Sequence, residues 1–546
     1  MTLPNTEYGA IKLKTERAIL SDLTKTAFYM ILAGAFWVAV VAHGTQSEPA
    51  AVLVRTRQGL VQGLVAGNVE QFHGIPYALP PLDSLRWRPP LPPRPYVGVL
   101  HATNFPSPCM QARPVAGFAP PSEDCLYLNV YRPLRSNEGK RTPVLIYIHG
   151  GGFEAGTAST RDGVQLAAGN NIIVVMVNYR LDAFGWLALP ELDSETANGS
   201  SSGNYGLLDI LTAVRWVHDN IAAFGGDPDN VTIAGTSAGG IAVCALLTAR
   251  LHERIFRRAI IESGECTRSS AYITSHRDAL LHGTKFAANA RCTDAAKFAS
   301  CLRSNPATTL LSASERSGPF TSNIGGSLMP NAPIEAIESG ELERIPVIVG
   351  ANHDEQRRSP LETVGFPATE QSYHKYLTDA FGPLGPLVAL QYPSAAFVDP
   401  SYAAGAVASD SGVPNGIGVC PMLVELARAL AKFNQTFAYE LSDPHGSGVA
   451  DSAGFEPGSL HTAEIGFLYS QVAPVWHTPE QVQMATRMQR YWATFVQNGR
   501  PNDGSHDWPS LSSGSILRFQ PSGDFLVPTR SFSEDHHCEF WAGLGY

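Results

Sequence analysis

A serine attacks a carbonyl only if its hydroxyl is exposed, a base takes its proton and the oxyanion that forms is stabilised. Residues 231–240, VTIAGTSAGG, contain Gly-x-Ser-x-Gly as Gly235, Thr236, Ser237, Ala238 and Gly239. A short β-type run enters this pentapeptide and the apolar helical run IAVCALL leaves it. That order predicts a nucleophile elbow, a turn so sharp that a side chain at either flanking glycine would clash, with the serine hydroxyl held out at the strand's carboxyl end. Upstream, the run VLIYIH ends in Gly150, Gly151 and Gly152, followed by Phe153. Glycines after a buried strand let backbone N–H groups turn toward a ligand, and a segment of this kind beside an elbow forms part of an oxyanion hole. The expected donors are the amides of Gly151, Gly152 and Ala238, each worth about 3 kcal/mol of transition-state stabilisation.

The base should be a histidine supported by a carboxylate, in the chain order serine, acid, histidine. GSLHTAEIGFLY sets His461 in a glycine-led loop before a helical segment with Glu464, whereas His445 lies in a Pro-Gly-rich loop. His536 and His537 adjoin the last cysteine; these two and His445 read as surface histidines. For the acid, VIVGANHDEQ offers both Asp354 and Glu355, and composition alone divides them evenly.

These residues need a scaffold. Residues 143–149, 172–178, 231–235 and 345–349 are β-rich apolar runs bounded by turn residues, as strands buried on both faces are. Between them, residues 206–224 place Leu207, Ile210, Leu211, Val214, Val217 and Ile221 along one helical stripe. Strand and helix in alternation predict an α/β fold with a mostly parallel sheet flanked by helices. VLVRTRQGLVQGLV, from Val52, reads as an edge hairpin. The proline-crowded stretch at 80–95 should be surface coil. Residues 270–340 read as a helical insertion over one end of the sheet, and 393–419 as long loops. No repeat or linker divides the chain, so one domain over 50–546 is expected.

With these motifs in place, the chain resembles the type B carboxylesterases, the family that includes the cholinesterases. The matching segments are FHGIPYALPP (72–81), EDCLYLNVYRP (123–133), YIHGGGF (147–153), GNYGLLD (203–209), FGGDPDNVTIAGTSAGG (224–240) and CEFW (538–541). The resemblance implies an α/β-hydrolase fold with the helical insertion over an active-site gorge, His461 as the base and Glu355 in preference to Asp354 as the acid. It also implies the disulfides Cys109 with Cys125, Cys292 with Cys301, and Cys420 with Cys538. The first would close a loop worth about 3 kcal/mol in the chain-entropy model. Cys244 and Cys266 are left unassigned, and for Cys244, in an apolar run, a buried free thiol stands as the alternative to a disulfide.

The chain departs from the cholinesterases at two places. They carry glutamate before the serine, where this chain has Thr236, and tryptophan between the first two cysteines, where Met110 to Asp124 has none. A tryptophan face is what binds a quaternary ammonium, so a neutral small-molecule ester is the expected substrate. Phe153, Phe184 and Trp186 read as packing rather than as specificity residues. Amide, carbamate or lactone hydrolysis would use the same machinery. Some proteins of this fold lack the serine and only bind partners, a reading that the presence of Ser237, His461 and an acid disfavours.

A net charge of −10 and the lack of a Lys/Arg cluster argue against a polyanion partner, and no nucleic-acid partner is expected. No metal or cofactor is expected either, since no histidine spacing suggests a metal site. Lys12, Lys14, Arg17 and Lys25 precede an apolar run from Ala27 to Ala42 with small residues after it, the order of a signal peptide over residues 1–44. Left uncleaved, that segment would be a membrane anchor. Export would suit eight cysteines without a Cys-x-x-Cys pair.

Overall fold

A computed structural model describes residues 50–546 except 135–138, 196–201, 250, 252, 414–415, 447–453, 472–477, 503 and 505–506. The segment expected to be a signal peptide or anchor lies outside the described residues. Thirteen strands form one mixed sheet. They are β1 (Ala51–Thr56), β2 (Gly59–Ala66), β3 (Val69–Pro76), β4 (Val99–His101), β5 (Tyr127–Pro133), β6 (Thr142–Ile148) and β7 (Ile173–Val177). The others are β8 (Gly226–Thr236), β9 (Arg258–Glu262), β10 (Val347–Asn352), β11 (Thr436–Leu441), β12 (Ser515–Phe519) and β13 (Phe525–Pro528). The order is β1-β2-β3-β5-β7-β6-β8-β9-β10-β11-β12-β13, with β4 beside β2. From β7 to β12 every neighbouring pair is parallel. The antiparallel strands sit at the two margins, where β1 and β2 form the expected hairpin.

The central strands carry apolar runs on both faces because helices cover both sides of the sheet. On β6, Val144, Ile146 and Ile148 join one core, and Leu145 and Tyr147 join the other. The helical stripe from Leu207 to Val217 lies on α1 (Tyr205–Asn220) and packs into the first core. α2 (Ala238–Thr248) leaves the elbow fully buried. The insertion contains α3 (His276–Asn289), α4 (Phe298–Ser304) and α5 (Ala307–Glu315).

Three expectations need correction. Residues 393–419 are not all loop: they contain α6 (Pro400–Ser411), capped by the Asp399 side chain, begun by Pro400 and ended by Gly412 at φ 80°. Its small residues permit close packing; a Cβ at Gly405 would come within 2.8 Å of the Arg357 carbonyl. The proline-crowded stretch is coil apart from one short turn, but it buries Arg86 and Trp87. Trp87 donates its indole N–H to the Ala183 carbonyl, and Arg86 pairs with Glu123. Cys244 is not a free thiol: it is bonded to Cys266. The other three disulfides join the expected partners, 109–125, 292–301 and 420–538.

On the far face lies α7 (Pro479–Asn498), whose Met484, Met488, Tyr491, Trp492 and Phe495 fill the second core. The chain ends in α8 (Cys538–Leu544). Among the described residues, no helix is long and apolar enough to cross a membrane.

Candidate active site

Parallel strands end at the same edge of a sheet, and loops leaving that edge converge there. β6 ends at the glycine run, β8 at Ser237, β9 at Ser263 and β10 at the turn carrying Glu355. His461 follows β11 on a longer loop.

Close approach of backbones explains the elbow glycines. A Cβ at Gly239 would lie 2.1 Å from the Ile148 carbonyl oxygen, and one at Gly235 would lie 2.4 Å from the Gly239 carbonyl. Ser237 is held between them at φ 57°, ψ −127°, a backbone state that few L-residues adopt. Its amide donates to the Glu262 carbonyl, and its carbonyl accepts from the Ile241 amide. The geometry therefore anchors the main chain and frees the side chain.

His461 completes the arrangement. Its Nε2 lies 2.9 Å from Ser237 Oγ and its Nδ1 2.7 Å from Glu355 Oε2. The His461 side chain is 25% exposed, whereas the Glu355 carboxylate is wholly buried. The second Glu355 oxygen accepts from the Ser263 hydroxyl at 2.6 Å and the Asn352 amide at 2.7 Å. Three donors thus balance a charge that burial would otherwise disfavour. Asp354, the rival acid, points elsewhere. It pairs with Arg357 and accepts from the Ser459 amide, bracing the loop that carries His461.

Beside Ser237, the glycine run turns through positive φ at Gly151 (114°) and Gly152 (64°). Among the described residues, the amides of Gly151 and Gly152 have no hydrogen-bond acceptor. Ala238 opens α2, so its amide has no acceptor within the helix. Phe153 is buried against Trp186 at 4.3 Å between ring centroids, and Phe184 is buried as well.

Sequence reasoning missed the buried polar layer beneath these groups. Ser263, Asn352 and Glu464 form a hydrogen-bonded cluster around Glu355. Burial, followed by the charges of Glu355 and Glu262, holds the Glu464 carboxyl well above the usual range. Glu262, at the end of β9, accepts from the Thr236 hydroxyl and the Trp492 indole, each at 2.7 Å. Burial pushes Glu262 up to about 7 despite those two donors. The only sequence signal was a glutamate at the end of an apolar strand, where an unpaired charge would be costly.

His445 is exposed, as expected, but His536 is not a surface residue. It is 2% exposed and lies between Asp410 and Glu440. The sequence hid this because both partners come from distant segments.

The Carboxylesterase family model matches residues 50–379 and 414–541. The chain is 34% identical to fumonisin B1 esterase of Sphingopyxis macrogoltabida, over 90% of each chain. It is 32% identical to liver carboxylesterase 1 of Oryctolagus cuniculus, over 88% of this chain and 91% of that one. It is 31% identical to cocaine esterase of Homo sapiens, over 92% and 93%. The solved structure of PNB esterase aligns with TM-score 0.74 at 28% identity, covering 89% of this chain and 99% of that chain. With a matching fold, family and serine-centred site, the chain belongs to the carboxylesterase family and is a carboxylic ester hydrolase.

Proposed function

We propose that the chain cleaves neutral carboxylic esters through an acyl-enzyme on Ser237. One observation carries this reading: Ser237, His461 and Glu355 stand in a hydrogen-bonded line at 2.9 and 2.7 Å, with the serine on a positive-φ elbow. Glu355 holds the imidazole with Nδ1 protonated, so Nε2 is free to accept a proton. As Oγ attacks the carbonyl carbon, its proton passes to Nε2 and the carbonyl electrons move onto oxygen. The amides of Gly151, Gly152 and Ala238 receive that oxyanion. When the intermediate collapses, the C–O bond to the alcohol breaks and the alcohol takes the proton from His461. Water, deprotonated by the same nitrogen, then attacks the acyl group, and the acid leaves with Ser237 restored.

The preference for neutral esters rests on Thr236. A hydroxyl stands where a cholinesterase presents a carboxylate, and it is turned to the buried Glu262. Relatives named for fumonisin B1 and for cocaine support ester cleavage and leave the choice of acid and alcohol to residues around Ser237. Four disulfides support export of a single catalytic domain over 50–546.

Labelling with a fluorophosphonate, adduct mapping, and assay on nitrophenyl, choline and amide substrates test the reading. The adduct is expected on Ser237, with nitrophenyl esters turned over far faster than choline esters. Labelling elsewhere, or full activity in Ser237→Ala, would overturn it.

A further inference from the structure

Two histidines and a glutamate with no part in ester cleavage meet next to the acid turn. His353 follows β10, Glu440 lies on β11, and His536 precedes α8. One nitrogen of each imidazole and one Glu440 oxygen lie within 4.8 Å of one another. Because the three residues are far apart in the chain, no short spacing announces them, which is why the sequence pointed to no metal.

What surrounds the trio matters as much as its closeness. His536 Nδ1 lies 2.6 Å from Asp410 Oδ1, and Asp410 Oδ2 accepts the Tyr392 hydroxyl at 2.8 Å. The Tyr392 oxygen in turn accepts the Trp541 indole N–H at 2.7 Å. His353 Nδ1 lies 2.9 Å from Asp354 Oδ1, and Asp354 is pinned by Arg357 and the Ser459 amide. Each imidazole therefore has one nitrogen on a carboxylate outside the trio. This arrangement fixes the ring and raises the basicity of the other nitrogen in metal sites. Glu440 Oε1 lies 2.8 Å from His536 Nε2, while its other oxygen pairs with Arg518.

Charge points the same way. Asp354, Asp410, Glu440 and Asp535 face the guanidinium groups of Arg357 and Arg518, leaving two negative charges in excess when the imidazoles are neutral. A cavity of about 350 Å³, lined in part by His353, Asp410 and His536, adjoins the trio and has room for water on a bound ion.

We propose that His353, Glu440 and His536 bind a divalent cation of the zinc class, with Asp354 and Asp410 orienting the two imidazoles and a cavity water completing a tetrahedron. Two nitrogens and one oxygen suit zinc better than calcium or magnesium, which prefer all-oxygen sites. The cation displaces the proton between His536 Nε2 and Glu440, and that proton leaves to solvent. The bound ion would brace β11 and the carboxyl-terminal turn against the segment that carries Glu355.

The test uses the full chain, stripped with a chelator and titrated calorimetrically with Zn²⁺. We expect one equivalent per chain, a rise in Tm, and a visible absorption band of tetrahedral type when Co²⁺ replaces Zn²⁺. His353 is 37% exposed, so His353→Gln should fold. It should lose at least about tenfold in affinity, together with the rise in Tm. His445→Gln, on the surface, should keep both. No stoichiometric uptake by the parent, or undiminished uptake by His353→Gln, overturns the site. None of these readings depends on ester cleavage.

Discussion

His461 and His536 are each hydrogen-bonded to a buried carboxylate, yet only one is arranged as a base. His461 has Glu355 on Nδ1 and the Ser237 hydroxyl on Nε2, and a quarter of its side chain is open to solvent. His536 has Asp410 on Nδ1 and Glu440 on Nε2 and is almost fully enclosed. Without a cation, both nitrogens of His536 must carry protons to satisfy two carboxylates, so it has no lone pair to offer. A hydroxyl on the second nitrogen leaves that lone pair available. On the proposed mechanism, a neighbouring carboxylate is not enough to make a histidine a base; the group on the second nitrogen and access to substrate decide.

The sharpest way to break this contrast is to remove the reacting groups. Ser237→Ala and His461→Ala should each lower kcat by about 10⁴-fold or more in nitrophenyl ester assays, with an unchanged circular dichroism spectrum. Glu355→Gln should cost about 10⁴-fold by the same assay, because the imidazole loses its orienting carboxylate. Asp354→Asn should cost far less in kcat and show instead as lowered stability. Equal kcat losses in the two acid variants would erase the distinction drawn between them.

His536→Gln should act on stability, by about 3–5 kcal/mol in denaturant unfolding, since it leaves two buried carboxylates without their shared cation. A variant as stable as the parent would end the comparison with His461.

Glu262 supplies a pH test. Its folded pKa, about 7, lies above the ordinary 4.5, so the folded chain holds this proton more tightly than the unfolded chain does. Its contribution is fully present below about pH 4.5 and is lost as pH rises through about 7. Urea midpoints measured from pH 5 to 8 should therefore fall less steeply in Glu262→Gln than in the parent. The smallest effect is expected of Ser263→Ala, which removes one of three donors to Glu355. It should cost about 1–2 kcal/mol of stability, with kcat about tenfold lower.

Much of the site was legible because local sterics impose it. Only glycine fits at 235 and 239, where a Cβ would strike backbone, so the elbow is written into five consecutive residues. The choice of Glu355 over Asp354 was not legible from the residues themselves. Both follow the same strand, and what separates them is Ser263, Asn352 and His461 around one and Arg357 and Ser459 around the other. The helix at Pro400–Ser411 could have been read from its Asp-Pro start and Gly412 stop, but small residues masked its periodicity.

By itself the sequence determined the parallel core, the elbow, the glycine run and the order of serine, acid and histidine, because strand and helix periodicity and glycine sterics act over a few residues. Tertiary structure alone decided the burial of His536, the Cys244–Cys266 bond, the carboxylates beneath the elbow and the trio beside the acid turn. Those features depend on side chains brought together from distant segments, and no local pattern records which partner a buried charge will meet.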